Sequence, residues 1–284
     1  MMKSVFETIQ MRYSVRNYSS RGIEPEKMRQ ISEFINLNTK GPLGSEVRFR
    51  IVDGTAYNQE ELKELGAYGL IKGPRVFIAG AVKRNQYAME DYGYCMEKNI
   101  LIATRIGLGT CWLGGSLNRS AFARKLEISE NEMIPAVTPI GYAADKNTLI
   151  GQAVSLVVGA KKRKGVAELF FNGDFDHPLD LQECGDFAKV LEGVRWAPSA
   201  GNRQPWRIIK QEHAFHFYLK EITAYNNNPR YLGAKLQNID MGIAMAHFDL
   251  VAVELGLTGS WEIQDPQVNQ GDLKYIASWM EKAI

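Results

Sequence analysis

The sequence predicts an α+β chain in which one folding unit occurs twice. Three observations carry that expectation. First, the 22 residues Asp91–Trp112 align without gaps on Asp240–Trp261 at an offset of 149. Eight positions are identical: Asp91/Asp240, Gly93/Gly242, Met96/Met245, Leu101/Leu250, Ala103/Ala252, Gly107/Gly256, Leu108/Leu257 and Trp112/Trp261. Average composition would give roughly one or two by chance. Second, residues 94–106 and 241–255 are apolar nearly all round. Such helices are buried, and the simplest way to bury two is against one another. Two domains, each hiding its own helix, is the alternative. Third, helix and strand patterns mix without strict βαβ alternation. The expected halves are residues 1–166 and 167–284.

The elements follow in order. Ser4-Val-Phe-Glu7 is a capping box that opens a short helix. RYSVRNY (12–18) alternates as an extended segment does, with Arg12, Ser14 and Arg16 on one side. Pro25 suits the first position of a helix whose apolar stripe is Met28, Ile31 and Ile35. Arg48–Val52, Arg75–Val82 and Val137–Ile140 read as strands. Gly107 and Gly256 are placed to end the two buried helices. In the second half Phe187, Val190, Leu191 and Val194 form a helical stripe that stops before Pro198. Arg207–Lys210 and Phe215–Leu219 read as strands.

Composition excludes several classes. The chain has 284 residues, 45% hydrophobic, 23% charged, with a formal net charge of +2. That balance implies no general pull toward nucleic acid or an anionic membrane surface. No apolar run approaches the roughly 18 residues of a membrane span, and residues 1–18 lack the apolar core of a signal peptide. The three cysteines, Cys95, Cys111 and Cys184, form no pair or framework, as expected in a reducing cytoplasm. HExxH, P-loop and GxSxG motifs are absent, and His213 and His216 on a strand have no partner ligands nearby, so no metal site is expected.

Four segments could carry chemistry. Arg12-x-Ser14-x-Arg16 presents two guanidinium forks and a hydroxyl on one face, an array suited to phosphate, or equally a solvated edge. Ala197-Pro-Ser-Ala-Gly-Asn-Arg-Gln-Pro-Trp206 is a polar turn fixed by two prolines. Its Ser199, Asn202 and Gln204 offer the mixed donors and acceptors that a heterocycle requires. Lys161–Lys164 is a basic run that fits a nucleic-acid patch, a solvated stretch or phosphate ligands. Gly107–Gly115 superficially suggests a dinucleotide loop but follows a helix instead of opening one.

Together these pieces resemble the nitroreductase family of FMN-dependent oxidoreductases. That family carries R-x-S-x-R near its N-terminus, here Arg12, Ser14 and Arg16. It carries A-P-S-x-x-N-x-Q-P-W, here Ala197–Trp206, and a buried helix ending G-L-G-T-x-W, here Gly107–Trp112. A strand ending Gly141-Tyr142 and a basic K-x-R, here Lys161 and Arg163, complete the set. One departure stands out. In the family the P-S-x-x-N turn follows R-x-S-x-R by a few tens of residues. Here it lies in the second half, while Lys40-Gly-Pro-Leu-Gly-Ser45 occupies the expected place in the first. The second half has no R-x-S-x-R near Asn172–His177.

The resemblance implies a nitroreductase-like α+β fold and a single-chain pseudo-dimer, a monomer that mimics the family's homodimer, with one composite FMN site. Arg12, Ser14, Lys161 and Arg163 would hold the phosphate and ribityl chain, Arg16 would lie by the pyrimidine edge, and Tyr13 is a further cofactor-binding residue. Pro198, Ser199, Asn202 and Gln204 would approach the ring from the other half. Leu113, Gly114 and Gly115 would lie against the ring near N5. NADH or NADPH is the implied hydride donor and a small nitro, quinone-like or aromatic molecule the acceptor. The flavin does the chemistry, so no catalytic side chain is expected. The alternative is a flavin store or redox sensor. Tyr68, Tyr225 and Tyr231 are candidates to cap the ring.

Overall fold

The computed structural model describes residues 3–57, 65, 71–115, 117–144, 162–222, 233–269 and 271–282. Lys161, Tyr68, Tyr225 and Tyr231 lie outside the described residues. Helix α1 (Val5–Met11) opens on the expected capping box: Ser4 Oγ accepts from Glu7 N at 3.0 Å and Glu7 Oε2 from Ser4 N at 2.8 Å. Helix α2 (Pro25–Leu37) has Pro at its start and buries Ile31 and Ile35. Strands β1 (Val47–Asp53) and β2 (Val76–Lys83) follow, then the long helix α3 (Ala88–Arg105). Next come β3 (Gly109–Thr110), helix α4 (Arg119–Leu126), β4 (Glu132–Met133) and β5 (Val137–Gly141).

The second half opens with a single helical turn, α5 (Val166–Leu169), and β6 (Phe170–Asn172). The expected boundary at 166/167 therefore falls inside α5, and β6 pairs at once with the second sheet. Helix α6 (Phe187–Arg195), strands β7 (Trp206–Gln211) and β8 (Ala214–Leu219), and helix α7 (Leu236–Glu254) come next. Strands β9 (Gly259–Glu262) and β10 (Lys274–Glu281) complete the chain.

The two sheets are built alike. The first runs β1-β2-β5-β3, with β4 also on β2; the second runs β6-β7-β8-β10-β9. Within each, the four strands β1-β2-β5-β3 and β7-β8-β10-β9 are antiparallel throughout. Strand β6 runs parallel to β7, with Phe170 opposite Ile208. Segment 12–16 extends the first sheet, since Ser14 bridges Thr110 and Val15 N donates to Thr110 O at 2.8 Å.

Helices α3 and α7 fill the middle, packed along one another as their sequences predict. Most of their residues are buried. The contact is as close as backbones allow. A Cβ on Gly93 would stand 2.2 Å from Ile239 O, and one on Gly242 would stand 1.8 Å from Glu90 O. Both glycines recur at the same place in the repeat, so each helix offers a smooth patch to the other's main chain. Gly107 and Gly256 end the two helices at φ +86° and +77°, a conformation that suits Gly. On the far side of α7, Phe187, Phe215, Phe217, Phe248 and Trp279 pack ring to ring.

Gly242→Ala is expected to destabilise the protein by about 3 kcal/mol or more, because neither backbone can move without unpacking the other helix. Gly22→Ala, whose Cβ meets nothing within 4 Å, should stay within about 0.5 kcal/mol. Urea unfolding of both variants checks the difference.

Candidate functional site

A cavity of about 300 Å³ lies between the halves. That is the lower end of the range of small-molecule and cofactor sites, roughly 300–1,000 Å³. From the first half it is lined by Arg12, Ser14, Arg16, Cys111, Trp112, Gly114, Gly115, Ala136 and Arg163. From the second come the turn Pro198–Asn202 and one face of α7: Leu236, Ile239, Asp240 and Ile243. Three arginines thus meet an apolar floor.

Arg12 is placed by several elements at once. It caps the C-terminus of α1. That helix is held at its other end by Glu254 of α7, whose carboxylate accepts from Val5 N at 2.6 Å and Phe6 N at 3.3 Å. The Arg12 side chain is 7% exposed, yet its Nε and Nη1 have no hydrogen-bond partner. Glu97 Oε1 lies 4.0 Å from Nε. Leaving buried guanidinium donors unpaired is costly, and an anion in the cavity would satisfy them.

Glu97 is the hub of a buried network. Its Oε2 accepts from Trp112 Nε1 at 2.7 Å, and its Oε1 faces His247 Nε2 at 3.0 Å. His247 Nδ1 lies 2.9 Å from Gly193 O. A carbonyl only accepts, so Nδ1 carries a proton. The chain of contacts runs from Arg12 in the first half to helix α6, which leads directly into the 197–206 turn.

That turn is itself a hydrogen-bonded knot. Gly201, Asn202 and Gln204 all have positive φ, at +58°, +54° and +48°. Ser199 Oγ accepts from Gln204 N at 2.8 Å, and Ala200 N donates to Asp240 Oδ1 at 2.9 Å. The basic run docks onto it. Asn202 Nδ2 donates to Lys162 O at 2.8 Å, Gln204 Oε1 accepts from Lys164 N at 2.9 Å, and Arg163 Nη1 donates to Asn202 Oδ1 at 3.1 Å. Arg163 Nη2 reaches Trp196 O at 3.2 Å. Burial, with Arg12 and Arg195 nearby, lowers the Arg163 pKa to about 10.

Most of the residues singled out from sequence therefore meet at one place: Arg12, Ser14, Arg16, Gly114, Gly115, Arg163, Pro198, Ser199 and Asn202 all line the cavity. Three do not. Tyr13 is 60% exposed, since alternation points it away from Ser14. Leu113 is buried in the first half's core, its main chain paired with Val137. Gln204 is 3% exposed and serves the 162–164 segment from behind the turn. The amides expected to read a heterocycle thus bind the basic run as well. Asp240, Glu97 and His247 were missed. Asp240 sat in plain view as the partner of Asp91 in the repeat. Cys111 lines the cavity, but burial pushes its thiol up, away from nucleophilic use. Among the described residues no cluster of His, Cys, Asp or Glu could hold a metal, and no helix is long and apolar enough to cross a membrane.

A family model described as "Putative TM nitroreductase" matches residues 4–252. The chain belongs to this nitroreductase family. A crystal structure from Thermotoga maritima, described in the same terms, shares the fold: 20% identity, TM-score 0.61, covering 99% of this chain and 94% of that one. A nitroreductase family protein from Clostridium novyi is 21% identical, with a TM-score of 0.42 over 50% of this chain and 87% of that one. A nitroreductase with bound FMN from Desulfitobacterium hafniense is 19% identical, with a TM-score of 0.42 over 52% of this chain and 93% of that one. No curated protein matches. Within this nitroreductase fold, the cavity lies where the two halves meet.

The Glu97 network can be tested without any ligand. Glu97→Ala should cost about 3 kcal/mol, because it strands a buried arginine. In a double-mutant cycle with His247→Ala, the two effects should couple by about 1 kcal/mol or more. Equilibrium unfolding of the single and double variants measures this.

Proposed function

We propose that this nitroreductase-family chain is an FMN-dependent oxidoreductase whose two halves act as the two subunits of a dimer and share one flavin site. The observation that carries the reading is Arg12: a buried guanidinium with two unpartnered nitrogens, facing a cavity that a second half closes. The residues present fit FMN. Arg12, Ser14, Arg16 and Arg163 supply cations and a hydroxyl for a phosphate and its polar chain. Leu236, Ile239, Ile243 and Ala136 supply an apolar surface for a flat ring. Gly114 keeps that surface open, since a Cβ there would stand 2.8 Å from Leu236 Cδ2.

When bound, FMN would accept hydride from NADH or NADPH and deliver it to a small nitro, quinone-like or aromatic acceptor. The protein's part is binding, orientation and electrostatics. Arg12 and Arg16 offset anionic charge at one end. The 198–202 turn and α7 fix the plane in which a ring can lie. Trp112, anchored to Glu97, walls one side.

Only one such site is proposed. In the first half, Asp91 holds the 41–45 loop by two bonds, from Leu43 N at 2.8 Å and Ser45 N at 2.7 Å. A Cβ on Gly41 would stand 2.2 Å from the Asp91 side chain. That loop is thus committed to Asp91.

Purified protein reconstituted with FMN should bind about one flavin per chain by absorbance; two per chain would contradict a single site. Arg12→Ala and Asn202→Asp, in different halves, should each weaken FMN binding by about tenfold or more, equivalent to about 1.4 kcal/mol. Anaerobic mixing with NADH or NADPH should bleach the flavin bands. No bleaching with either donor would leave a flavin-binding protein without turnover. Light scattering should report a monomer, because the second half already covers the interface that a partner subunit would use.

A further inference from the structure

Asp240 is a buried acid with half of its hydrogen-bonding capacity unused. It is 3% exposed and lines the cavity. Its Oδ1 accepts from Ala200 N at 2.9 Å, while Oδ2 has no partner. Its counterpart in the repeat behaves differently. Asp91 uses both oxygens, one on Leu43 N and one on Ser45 N. Both acids do the same first task, holding the turn or loop ahead of them. Of the two, only Asp240 has an oxygen left over, and it is among the residues that line the cavity.

The surroundings decide the form of that oxygen. Arg12, Arg16 and Arg163 share the cavity, but none is hydrogen-bonded to Asp240 Oδ2. Helix α3, packed along α7, carries Glu90, Asp91 and Glu97, and Glu97 is committed to Trp112 and His247. Arg203 follows the turn and Lys235 precedes α7. One hydrogen bond and no paired cation is poor support for a buried carboxylate. Burial accordingly raises the Asp240 pKa to about 8, opposed only by the Ala200 N–H. A neutral carboxyl in such a place has a hydroxyl to donate, and Asp240 belongs to the wall of the cavity.

We propose that Asp240 meets the bound flavin as a neutral acid, donating from Oδ2 to an acceptor atom of the ligand while Oδ1 holds the 199–202 turn. The proposal rests on the FMN reading above. It makes one carboxyl both a fastener of the turn and a ligand-contacting donor. It also makes ligand affinity depend on a proton.

The test is FMN affinity as a function of pH, measured by fluorescence titration of the flavin-free full chain. Between pH 7 and pH 9 the wild-type Kd should rise about tenfold, as ionisation removes the donor. The phosphate stays constant in that window, its second ionisation lying near 6, and Arg163, lowered to about 10, begins to lose its proton only at the top of it. Asp240→Asn keeps an acceptor for Ala200 N–H and a permanent donor in place of the hydroxyl. Its Kd should stay within about threefold of the wild-type value at pH 7 and be flat to pH 9. A wild-type Kd that does not change with pH, or a folded Asp240→Asn protein that has lost about tenfold or more at pH 7, overturns the proposal. Infrared spectra of the wild-type, flavin-free chain labelled with carboxyl-13C aspartate give a readout that needs no variant and no flavin. A protonated carboxyl band at pH 7 that disappears by pH 9.5 supports the proposal, and its absence at pH 7 overturns it. Failure of FMN to bind at any pH removes the flavin reading itself, and this proposal with it.

Discussion

The structure depends on one contact, the place where α3 and α7 touch main chain to main chain. Gly93 lies against Ile239 and Gly242 against Glu90, with no room for a methyl group on either. Two helices this close cannot slide, because larger residues on either side of the glycines interdigitate like any packed core. Each helix belongs to the sheet of its own half. The crossing therefore fixes one half relative to the other, and everything between the halves inherits that fixed geometry. The cavity is such a place. Its floor is α7, its far wall is carried by the turn ahead of β7, and its near wall hangs from the end of α3 through Trp112 and Gly114.

The same crossing sets where charges can be buried. Glu97 on α3 and His247 on α7 are both fully buried, 3.0 Å apart. Neither would be tolerable alone. Together with Trp112 and Arg12 they form a network that spans both halves, and each member satisfies another. Arg12 is the exception: two of its nitrogens stay unpaired. A buried guanidinium with Glu97 4.0 Å away but two nitrogens without hydrogen bonds is a standing destabilisation that an anionic ligand can reduce. Ligand binding and fold stability are then linked, as with any molecule that binds only the native state.

Much of this was legible in the sequence because it rests on local rules. Capping boxes, Pro at a helix start, apolar stripes and Gly helix ends all depend on residues a few positions apart, and α1, α2, α6 and the ends of α3 and α7 match. The pairing of the two repeat helices was legible because both are apolar nearly all round, and two such helices are most simply buried against one another. The two arginines and serine of 12–16 were readable as one face because strand alternation is strict, and Val15 in the core confirms the phase. The short strands β3, β4, β6 and β9 were not readable. Each has two to four residues and is held by partners distant in the chain, so no local period marks it. Strand β10 was missed too, since Ile276, Ala277 and Trp279 are buried in succession and break the alternation that marks a half-exposed strand. Gln204 and Asn202 carry partners that the sequence does not announce, for a related reason. Composition tells how many donors a turn has, whereas the docking of residues 162–164 decides which are already used.

The two aspartates show how equivalent positions come to differ in chemistry. Asp91 and Asp240 hold the same place in the repeat and perform the same local service for the segment ahead. The difference lies in what they hold. The 41–45 loop offers two N–H groups to one carboxylate, and Asp91 spends both oxygens on them. The 199–202 turn offers one, Ala200 N–H, while Asn202 N is spent on Ser199 O at 2.9 Å within the turn. One carboxylate is thereby saturated and structural. The other keeps an oxygen free beside a cavity lined by three arginines. The two positions therefore differ in what they bond, not in where they stand on their helices.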